Sequence, residues 1–431
     1  MSRYYNPIIE TMPRAELEAL QVKKLKELLA HLGNARFYAE QFNERGLGPE
    51  SVNSLDDLRK FNFTTKTDLR NAYPYGMLAV SKDECVRLHA SSGTTGTATV
   101  IVHTQSDIDH WADLMARSLY ACGVRKSDVL QNTSGYGMFT GGLGIHYGSE
   151  RLGCLTVPAG PGNTERQIKF MLDFGVTVAH MIPSYALYMA SYLEKHGFDP
   201  STLPVRIAVI GAEPHTEEIR RKVEKLLSLK AYNSYGLSEM NGPGVAFECE
   251  YQDGMHLWED AFIGEIVDPE TGELLPDGEV GELVLTTLDR RGMPLLRYKT
   301  RDLTRFLPGQ CRCGRTHRRL DRMVGRADDM LIIKGVNVYP MQIEQVLMGI
   351  EEVGENYLIE VFNDGIMDDL RVKVEVLSAY FVEDMRVLRA LQQRIATSLK
   401  NEILFTPKVE LVEHNSLPVA EGKAKRVVDL R

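Results

Sequence analysis

A chain of 431 residues, 43% hydrophobic and 25% charged, has the composition of a soluble globular protein. It is longer than one hydrophobic core usually organises, so two or three domains of roughly 150 residues are expected. Its formal net charge of -9 argues against a general affinity for nucleic acid or anionic membrane and favours small-molecule partners.

The segment 1–11 has no apolar core or cleavage pattern of a secretory leader, and no apolar run reaches the length of a membrane span. A cytoplasmic protein is expected. Six cysteines dispersed along the chain are not a disulfide framework, which leaves reduced thiols or a metal site.

Near the N-terminus, Val22, Leu25, Leu29 and Leu32 recur at helical spacing among charged residues, predicting an amphipathic helix that ends near Gly33 and packs on the main body. Next comes Ser91-Ser92-Gly93-Thr94-Thr95-Gly96-Thr97, which places five hydroxyl side chains and two glycines between a strand-like run and the β-branched run 99–102. Glycine lets backbone N–H groups approach an anion closely, and hydroxyls add uncharged donors, so the segment suits a polyphosphate. It lacks the Gly-Lys-Ser/Thr ending of a Walker A loop, and a strand is expected after it, which argues against a conventional P-loop ATPase. An ordinary polar hairpin turn has the same composition.

From Val129 onward, apolar runs at 154–157, 176–182, 205–210 and 229–232 alternate with helical segments. The clearest of these helices are 164–174, closed by Gly175, and 216–227. Such alternation predicts a mainly parallel sheet covered on both faces. After Met255, strand-like runs at 265–267, 282–286 and 303–306 are joined by turns such as Pro276-Asp277-Gly278, predicting a small antiparallel lobe. The polar stretch Gly325-Arg326-Ala327-Asp328-Asp329 precedes helical 341–349, strand-like 371–377, helical 384–400 and strand-like 408–413. The expected fold is therefore α/β. A large domain at 1–327, with mainly parallel sheets covered by helices and a small antiparallel lobe, is followed by a small α+β domain at 328–431.

Several segments carry functional groups. Tyr235-Gly236-Leu237-Ser238-Glu239 follows an expected strand, so an aromatic face and a carboxylate fall where open α/β sheets bind ligands. Tyr235 can stack on a base, and Glu239 can offer hard oxygen to Mg²⁺. The pair Arg301-Asp302 can be a structural ion pair or can present Asp302 to ribose hydroxyls. Gly422-Lys423-Ala424-Lys425-Arg426 reads equally as a solvated basic tail.

The order of these segments, Ser/Thr/Gly loop, Tyr-Gly-x-Ser-Glu, Arg-Asp, Gly-Arg-x-Asp-Asp and Gly-Lys, resembles the adenylate-forming superfamily of acyl-CoA synthetases, luciferases and nonribosomal adenylation domains from about Ser91 to Lys423. Within it the chain most resembles the phenylacetate coenzyme A ligase family. That likeness is carried by Ser134-Gly135-Tyr136-Gly137-Met138-Phe139-Thr140-Gly141-Gly142-Leu143-Gly144, by Gly211-Ala212-Glu213-Pro214, and by Leu331-Ile332-Ile333-Lys334-Gly335-Val336-Asn337-Val338-Tyr339-Pro340. One departure stands out. The family's phosphate loop continues Gly-Lys-Pro, whereas this one reads Gly96-Thr97-Ala98 and lacks a cation there.

The resemblance implies ATP-dependent activation of an aryl acid, phenylacetate in the family, to an acyl adenylate, then thioester formation with coenzyme A. It implies an ATP site of Ser91, Ser92, Gly93, Thr94, Thr95, Gly96, Gly211, Ala212, Glu213, Pro214, Asn233, Ser234, Tyr235, Gly236, Ser238, Asp302 and Arg326. Glu239 would hold Mg²⁺. Lys423, with Lys425 as the alternative, would be the catalytic lysine on a C-terminal domain that moves about Asp328. Tyr136, Phe139, Gly141 and Gly142 would line the acyl pocket or form a tight loop over the sheet. Loading of a carrier protein or an amine instead of coenzyme A is an open alternative, as is a zinc-bearing nucleotide-binding regulator. The resemblance leaves room for a homodimer.

Independently, Cys249, His256, Cys311 and Cys313 could complete a tetrahedral Zn²⁺ site, with His317 a possible replacement for His256. Zinc ribbons favour Cys-x-x-Cys over this Cys-x-Cys pair, and ordinary buried thiols beside an unrelated histidine are the alternative.

Overall fold

The computed structural model describes residues 2–91, 98–138, 140–334, 336–363, 368–382, 384–418 and 426–431. The chain divides into two compact units. One comprises Met1–Met181, Thr202–Ala212 and Leu229–Arg322, the other Ile182–Ser201, Glu213–Ser228 and Met323–Arg431.

In the first unit, the helix Arg14–Leu32 gives way at Gly33 and buries Leu17, Leu25, Leu28, Leu29 and Leu32. Leu25, Leu28, Leu29 and Leu32 share a core with Tyr38, Phe42, Val52, Phe61, Ile263 and Leu288, so the apolar stripe meets the body of the unit as expected. The polar loop beginning at Ser91 lies between Cys85–Ala90 and Val100–Thr104, which pair antiparallel. Its base is closed by the Ser91 N–H donating to the Thr99 carbonyl at 3.0 Å. Residues 92–97 lie outside the described residues.

The large sheet has nine strands, in the order Phe306–Leu307, Arg319–Leu320, Met255–Leu257, Gly242–Glu248, Lys230–Leu237, Ile207–Gly211, Val178–Met181, Val129–Asn132 and Leu155–Val157. The strands from Lys230–Leu237 to Leu155–Val157 are parallel. The others run antiparallel because Asn241 and Gly242, both at positive φ, reverse the chain sharply after Leu237. The parallel character is thus confined to one half of the sheet. Between Val129–Asn132 and Val178–Met181 the strand order switches direction, a point at which open α/β sheets leave a crevice beyond the carboxyl ends.

Phe262–Val267, Gly281–Thr287 and Tyr298–Thr304 form the smaller antiparallel lobe. The run expected as one strand at 303–306 is split. Arg305 interrupts it, and Phe306–Leu307 turns away to the edge of the nine-stranded sheet.

The second unit contains the helices Pro183–Lys195 and Glu217–Leu227, the latter capped by Thr216. It also contains a four-stranded sheet ordered Lys408–Glu413, Asp368–Val376, Val353–Asn363 and Val427–Asp429, with an antiparallel central pair. The helices Pro340–Met348 and Met385–Ile403 contribute Ile343, Leu347, Leu391, Ile395 and Leu399 to a core with Ile359, Val361, Val372 and Val374. That is the α+β arrangement expected for the C-terminal part. No helix among the described residues is long and apolar enough to cross a membrane.

Candidate active site

The carboxyl ends of the parallel strands place the expected nucleotide residues of the first unit. Gly211 ends its strand so close to the next that a Cβ would collide with the Ser234 carbonyl oxygen. Ala212 follows at φ +68°, in the left-handed region that alanine rarely occupies, a form of strain that concentrates at binding sites. Asn233 donates its backbone N–H to Glu248 Oε2 at 2.7 Å, and Arg322 holds the other oxygen of Glu248 at 3.0 Å.

Tyr235 is buried, and its hydroxyl donates to Asp302 Oδ2 at 2.7 Å. Two residues singled out separately in the sequence are thus one hydrogen-bonded pair. Tyr235→Phe removes a bond to a charged acceptor, a type that contributes about 1.5–3 kcal/mol. In the ATP site that the sequence resemblance implies for this pair, the loss is expected to raise the KM for ATP about tenfold or more while kcat changes less, which steady-state kinetics at saturating acid will show. Beside it, Gly236 leaves no room for a side chain, because a Cβ would overlap the Gly242 carbonyl oxygen. Gly236→Ala is expected to destabilise the protein at or beyond the upper end of the ~1–3 kcal/mol typical of overpacking, read as a fall in the urea midpoint.

Glu239 is buried at 6% exposure. Its Oε1 accepts from the Tyr298 hydroxyl at 3.2 Å and lies 3.8 Å from Lys66 Nζ, while its backbone carbonyl accepts from Arg290. Burial pushes the Arg290 guanidinium down to about 10, opposed by Asp107 and Glu239, so it stays cationic at neutral pH. Its Nε and one terminal nitrogen have no hydrogen-bond partner among the described residues. A carboxylate set among cations can hold a metal ion between itself and a polyphosphate. Ser238 Oγ is 3.4 Å from Thr140 Oγ1. The local pattern around Glu239 does not reveal Lys66, Arg290 or Tyr298, which approach from distant parts of the chain.

At the strand-order switch, Asn132 organises the segment proposed for the acyl group. Its side-chain amide donates to the Tyr136 hydroxyl at 3.0 Å and to the Gly142 carbonyl at 2.8 Å. Its Oδ1 accepts from His180 Nδ1 at 2.9 Å. Burial pushes His180 down to about 4, so the ring is neutral at pH 7. The Tyr136 hydroxyl is also 3.3 Å from His146 Nδ1. Gly141 and Gly142 lie in the helix Thr140–Leu152, and a Cβ on Gly142 would collide with the Gly135 carbonyl. The glycines from 141 to 148 are thus helical, with Gly142, Gly144 and Gly148 at close approaches and Gly141 facing open space, while Tyr136 belongs to the loop before them. Phe139 lies outside the described residues.

Glu213, Pro214, Arg326 and Asp328 belong to the second unit. Glu213 accepts from the Ser184 N–H at 3.1 Å and from its hydroxyl at 2.9 Å. Arg326 forks onto Asp328, Nε to Oδ1 at 2.9 Å and a terminal nitrogen to Oδ2 at 3.0 Å. The expected hinge residue and the expected phosphate-contacting arginine are therefore paired. Ser91 is described, whereas Ser92, Gly93, Thr94, Thr95, Gly96, Lys423 and Lys425 lie outside the described residues.

Cys249, His256, Cys311 and Cys313 are all buried, and their ligand atoms lie within 4.8 Å of one another. His317 is not part of the cluster. Its Nδ1 accepts from the Glu259 N–H at 2.9 Å and its Nε2 donates to the Ile9 carbonyl at 3.0 Å, so both nitrogens are engaged.

Residues 21–287 match the family model of the AMP-binding enzyme, and residues 335–431 match that of the AMP-binding enzyme C-terminal domain. The chain is 48% identical to a phenylacetate-coenzyme A ligase of Thermus thermophilus, over 99% of both chains. It is 46% identical to the enzymes of that name from Pseudomonas putida and Escherichia coli, over 98% of this chain and 97% of each relative. Among solved structures, a 2-hydroxyisobutyryl-CoA ligase in complex with an acyl-AMP superposes with a TM-score of 0.94 at 27% identity, covering 100% of this chain and 93% of that one. The same ligase in complex with 2-HIB-AMP and CoA matches with a TM-score of 0.74 at 28% identity, over 99% and 92%. This chain belongs to the phenylacetate-coenzyme A ligase family of AMP-forming, AMP-binding enzymes.

Proposed function

We propose that the protein joins phenylacetate to coenzyme A in two steps, forming phenylacetyl adenylate and pyrophosphate from ATP and then exchanging AMP for the thiol of coenzyme A. The observation that carries this reading is the 46–48% identity, over nearly the whole chain, to relatives named for that reaction.

The first step needs no general base, because a carboxylic acid with a pKa near ~4 is already ionised at neutral pH. Its difficulty is electrostatic, since one anion attacks the α-phosphate of another. In this reading the hydroxyls and backbone of Ser91, Ser92, Gly93, Thr94, Thr95 and Gly96 hold the phosphates. Gly211, Ala212, Glu213, Pro214, Asn233, Ser234, Gly236 and Ser238 shape the nucleotide site. Tyr235 stacks near adenine while its hydroxyl steadies Asp302 on the ribose, and Arg326 contacts phosphate. Glu239 supplies the hard, buried oxygen that Mg²⁺ requires, and Mg²⁺ bound there would neutralise phosphate charge.

Lys423 adds the remaining positive charge. It belongs to a C-terminal domain, 328–431, that turns about Asp328 once pyrophosphate has left, so that coenzyme A can reach the adenylate held by the domain 1–327. Arg326 and Asp328, on either side of that boundary, form a forked ion pair. Tyr136, Phe139, Gly141 and Gly142 border the acyl group, with Asn132 fixing the Tyr136 hydroxyl.

A pyrophosphate-release screen over aryl, indolyl and aliphatic acids, with and without coenzyme A, tests this reading. Phenylacetate is expected to turn over fastest, by about 10–200-fold against acids differing by one ring or methylene, with thioester formed on free coenzyme A. Preference for an aliphatic acid overturns the substrate, and adenylate formation without thioester on free coenzyme A overturns the acceptor.

A further inference from the structure

We propose that Cys249, His256, Cys311 and Cys313 hold one structural Zn²⁺ that fastens the N-terminal segment and the 306–320 hairpin to the antiparallel half of the nine-stranded sheet. The geometry supports this independently of the ligase reaction. A Zn–S bond is about 2.3 Å and a Zn–N bond about 2.0–2.1 Å, so the edges of a regular tetrahedron around the ion are ~3.8 Å between sulfurs and ~3.5 Å between sulfur and nitrogen. The Cys249 and Cys311 sulfurs are 3.7 Å apart, and Cys313 Sγ is 3.3 Å from His256 Nε2. A disulfide needs sulfurs at ~2.05 Å, so the cysteines are thiols or thiolates.

The surroundings also suit an ion. His256 Nδ1 donates to the His317 carbonyl at 3.1 Å, which fixes the tautomer and leaves the Nε2 lone pair facing the sulfurs. Backbone N–H groups point at two of the sulfurs, Cys313 N to Cys311 Sγ at 3.5 Å and Arg315 N to Cys313 Sγ at 3.4 Å. They favour the thiolate form that ligation requires. Three sulfurs and one imidazole in a closed tetrahedron select zinc over hard cations, and four protein ligands leave no open position for substrate or water. The ion is therefore structural.

Its placement shows what it would fasten. Cys249 follows the strand Gly242–Glu248, His256 lies in Met255–Leu257, and the two remaining cysteines lie in the turn between Phe306–Leu307 and Arg319–Leu320. The N-terminal segment is bound to the same turn. Tyr4 donates to the Cys313 carbonyl at 3.0 Å, Arg315 pairs with Glu10 at 2.7 Å with both side chains buried, and Thr316 N donates to the Glu10 carbonyl at 3.1 Å. The turn that carries Glu239 precedes the Gly242–Glu248 strand and Cys249 follows it, a strand of about 20 Å at ~3.3 Å per residue.

Metal analysis of the protein purified without chelator is expected to give one zinc per chain, with cobalt substitution producing the intense absorption of tetrahedral thiolate ligation. Cys313→Ser is expected to lose the metal and lower the melting temperature. Cys85→Ser, outside the cluster, is expected to retain it. Zinc below a tenth of an equivalent in wild-type protein expressed with added zinc overturns the proposal, as does full retention of zinc by Cys313→Ser. Should Cys313→Ser fail to fold, zinc content and the cobalt spectrum of the wild-type chain decide the matter alone.

Discussion

Lys423→Ala is expected to lower carboxylate-dependent pyrophosphate exchange by at least about 10²–10³-fold, the cost of removing one preorganised charge from a transition state that accumulates negative charge. Thioester formation from supplied phenylacetyl adenylate is expected to stay within a fewfold of wild type, because by then pyrophosphate has gone and the phosphate charge is smaller. The split between the half-reactions is the diagnostic feature, since a merely destabilised protein loses both together. The loss should be severe here because the phosphate loop reads Gly96-Thr97-Ala98 and offers no lysine after the glycine. Fewer cations then share the charge. Lys425→Ala, two residues on, is expected to retain most exchange activity. Unimpaired exchange in Lys423→Ala, or the larger loss in Lys425→Ala, would move the role away from Lys423.

How far the sequence anticipates the molecule depends on the range of the forces involved. Arg14–Leu32, Thr164–Asp173 and Glu217–Leu227 are legible because apolar residues recur at helical spacing and because Gly33, Gly175 and Thr216 mark their ends. Lys408–Glu413 is legible from alternation alone. The helix Thr140–Leu152 is not, because Gly141, Gly142, Gly144 and Gly148 read as a loop. At Gly144 and Gly148 they let the helix approach Trp111 and Met115 at distances no side chain would permit. Helix propensity yields there to close packing. The strand Val353–Asn363 is likewise obscured by Gly354, Glu355 and Asn356, although Tyr357, Ile359 and Val361 are buried at alternate positions.

The candidate site divides in the same way. Tyr235, Glu239 and Asp302 stand out by residue type and local motif, and so do Cys249, His256, Cys311 and Cys313. Their partners do not. Arg290, Lys66 and Tyr298 reach Glu239 across 51, 173 and 59 positions, and Asn132 meets His180 across 48. Such contacts arise only when the sheets assemble, so no local pattern announces them. The choice of His256 over His317 also needed the fold, because only the contacts of the two rings separate an Nε2 that faces the sulfurs from one already committed to a backbone carbonyl.

Glu239→Gln is expected to reduce adenylate formation by about 10²-fold or more and to raise the Mg²⁺ concentration needed for half-maximal rate, while unfolding stability changes by about 1 kcal/mol or less. The amide keeps an oxygen to accept from the Tyr298 hydroxyl, and the backbone carbonyl held by Arg290 is untouched. Only the charge is removed. A hard divalent cation binds a neutral amide oxygen more weakly than a carboxylate. The loss also leaves Lys66 without this anion and Arg290 with Asp107 but not Glu239 opposite it, so the local field becomes more positive. That field would replace part of the charge a metal supplies, but an ammonium or guanidinium offers hydrogen bonds rather than the coordination that a hard cation would supply there. Pyrophosphate exchange measured across a Mg²⁺ titration therefore separates two roles for Glu239. A metal ligand gives a curve displaced to higher Mg²⁺, with Glu239→Asp falling between the two forms because its shorter chain still carries the charge. A purely structural carboxylate gives an unshifted midpoint and a loss that follows thermal stability, and that result would remove Glu239 from the chemistry.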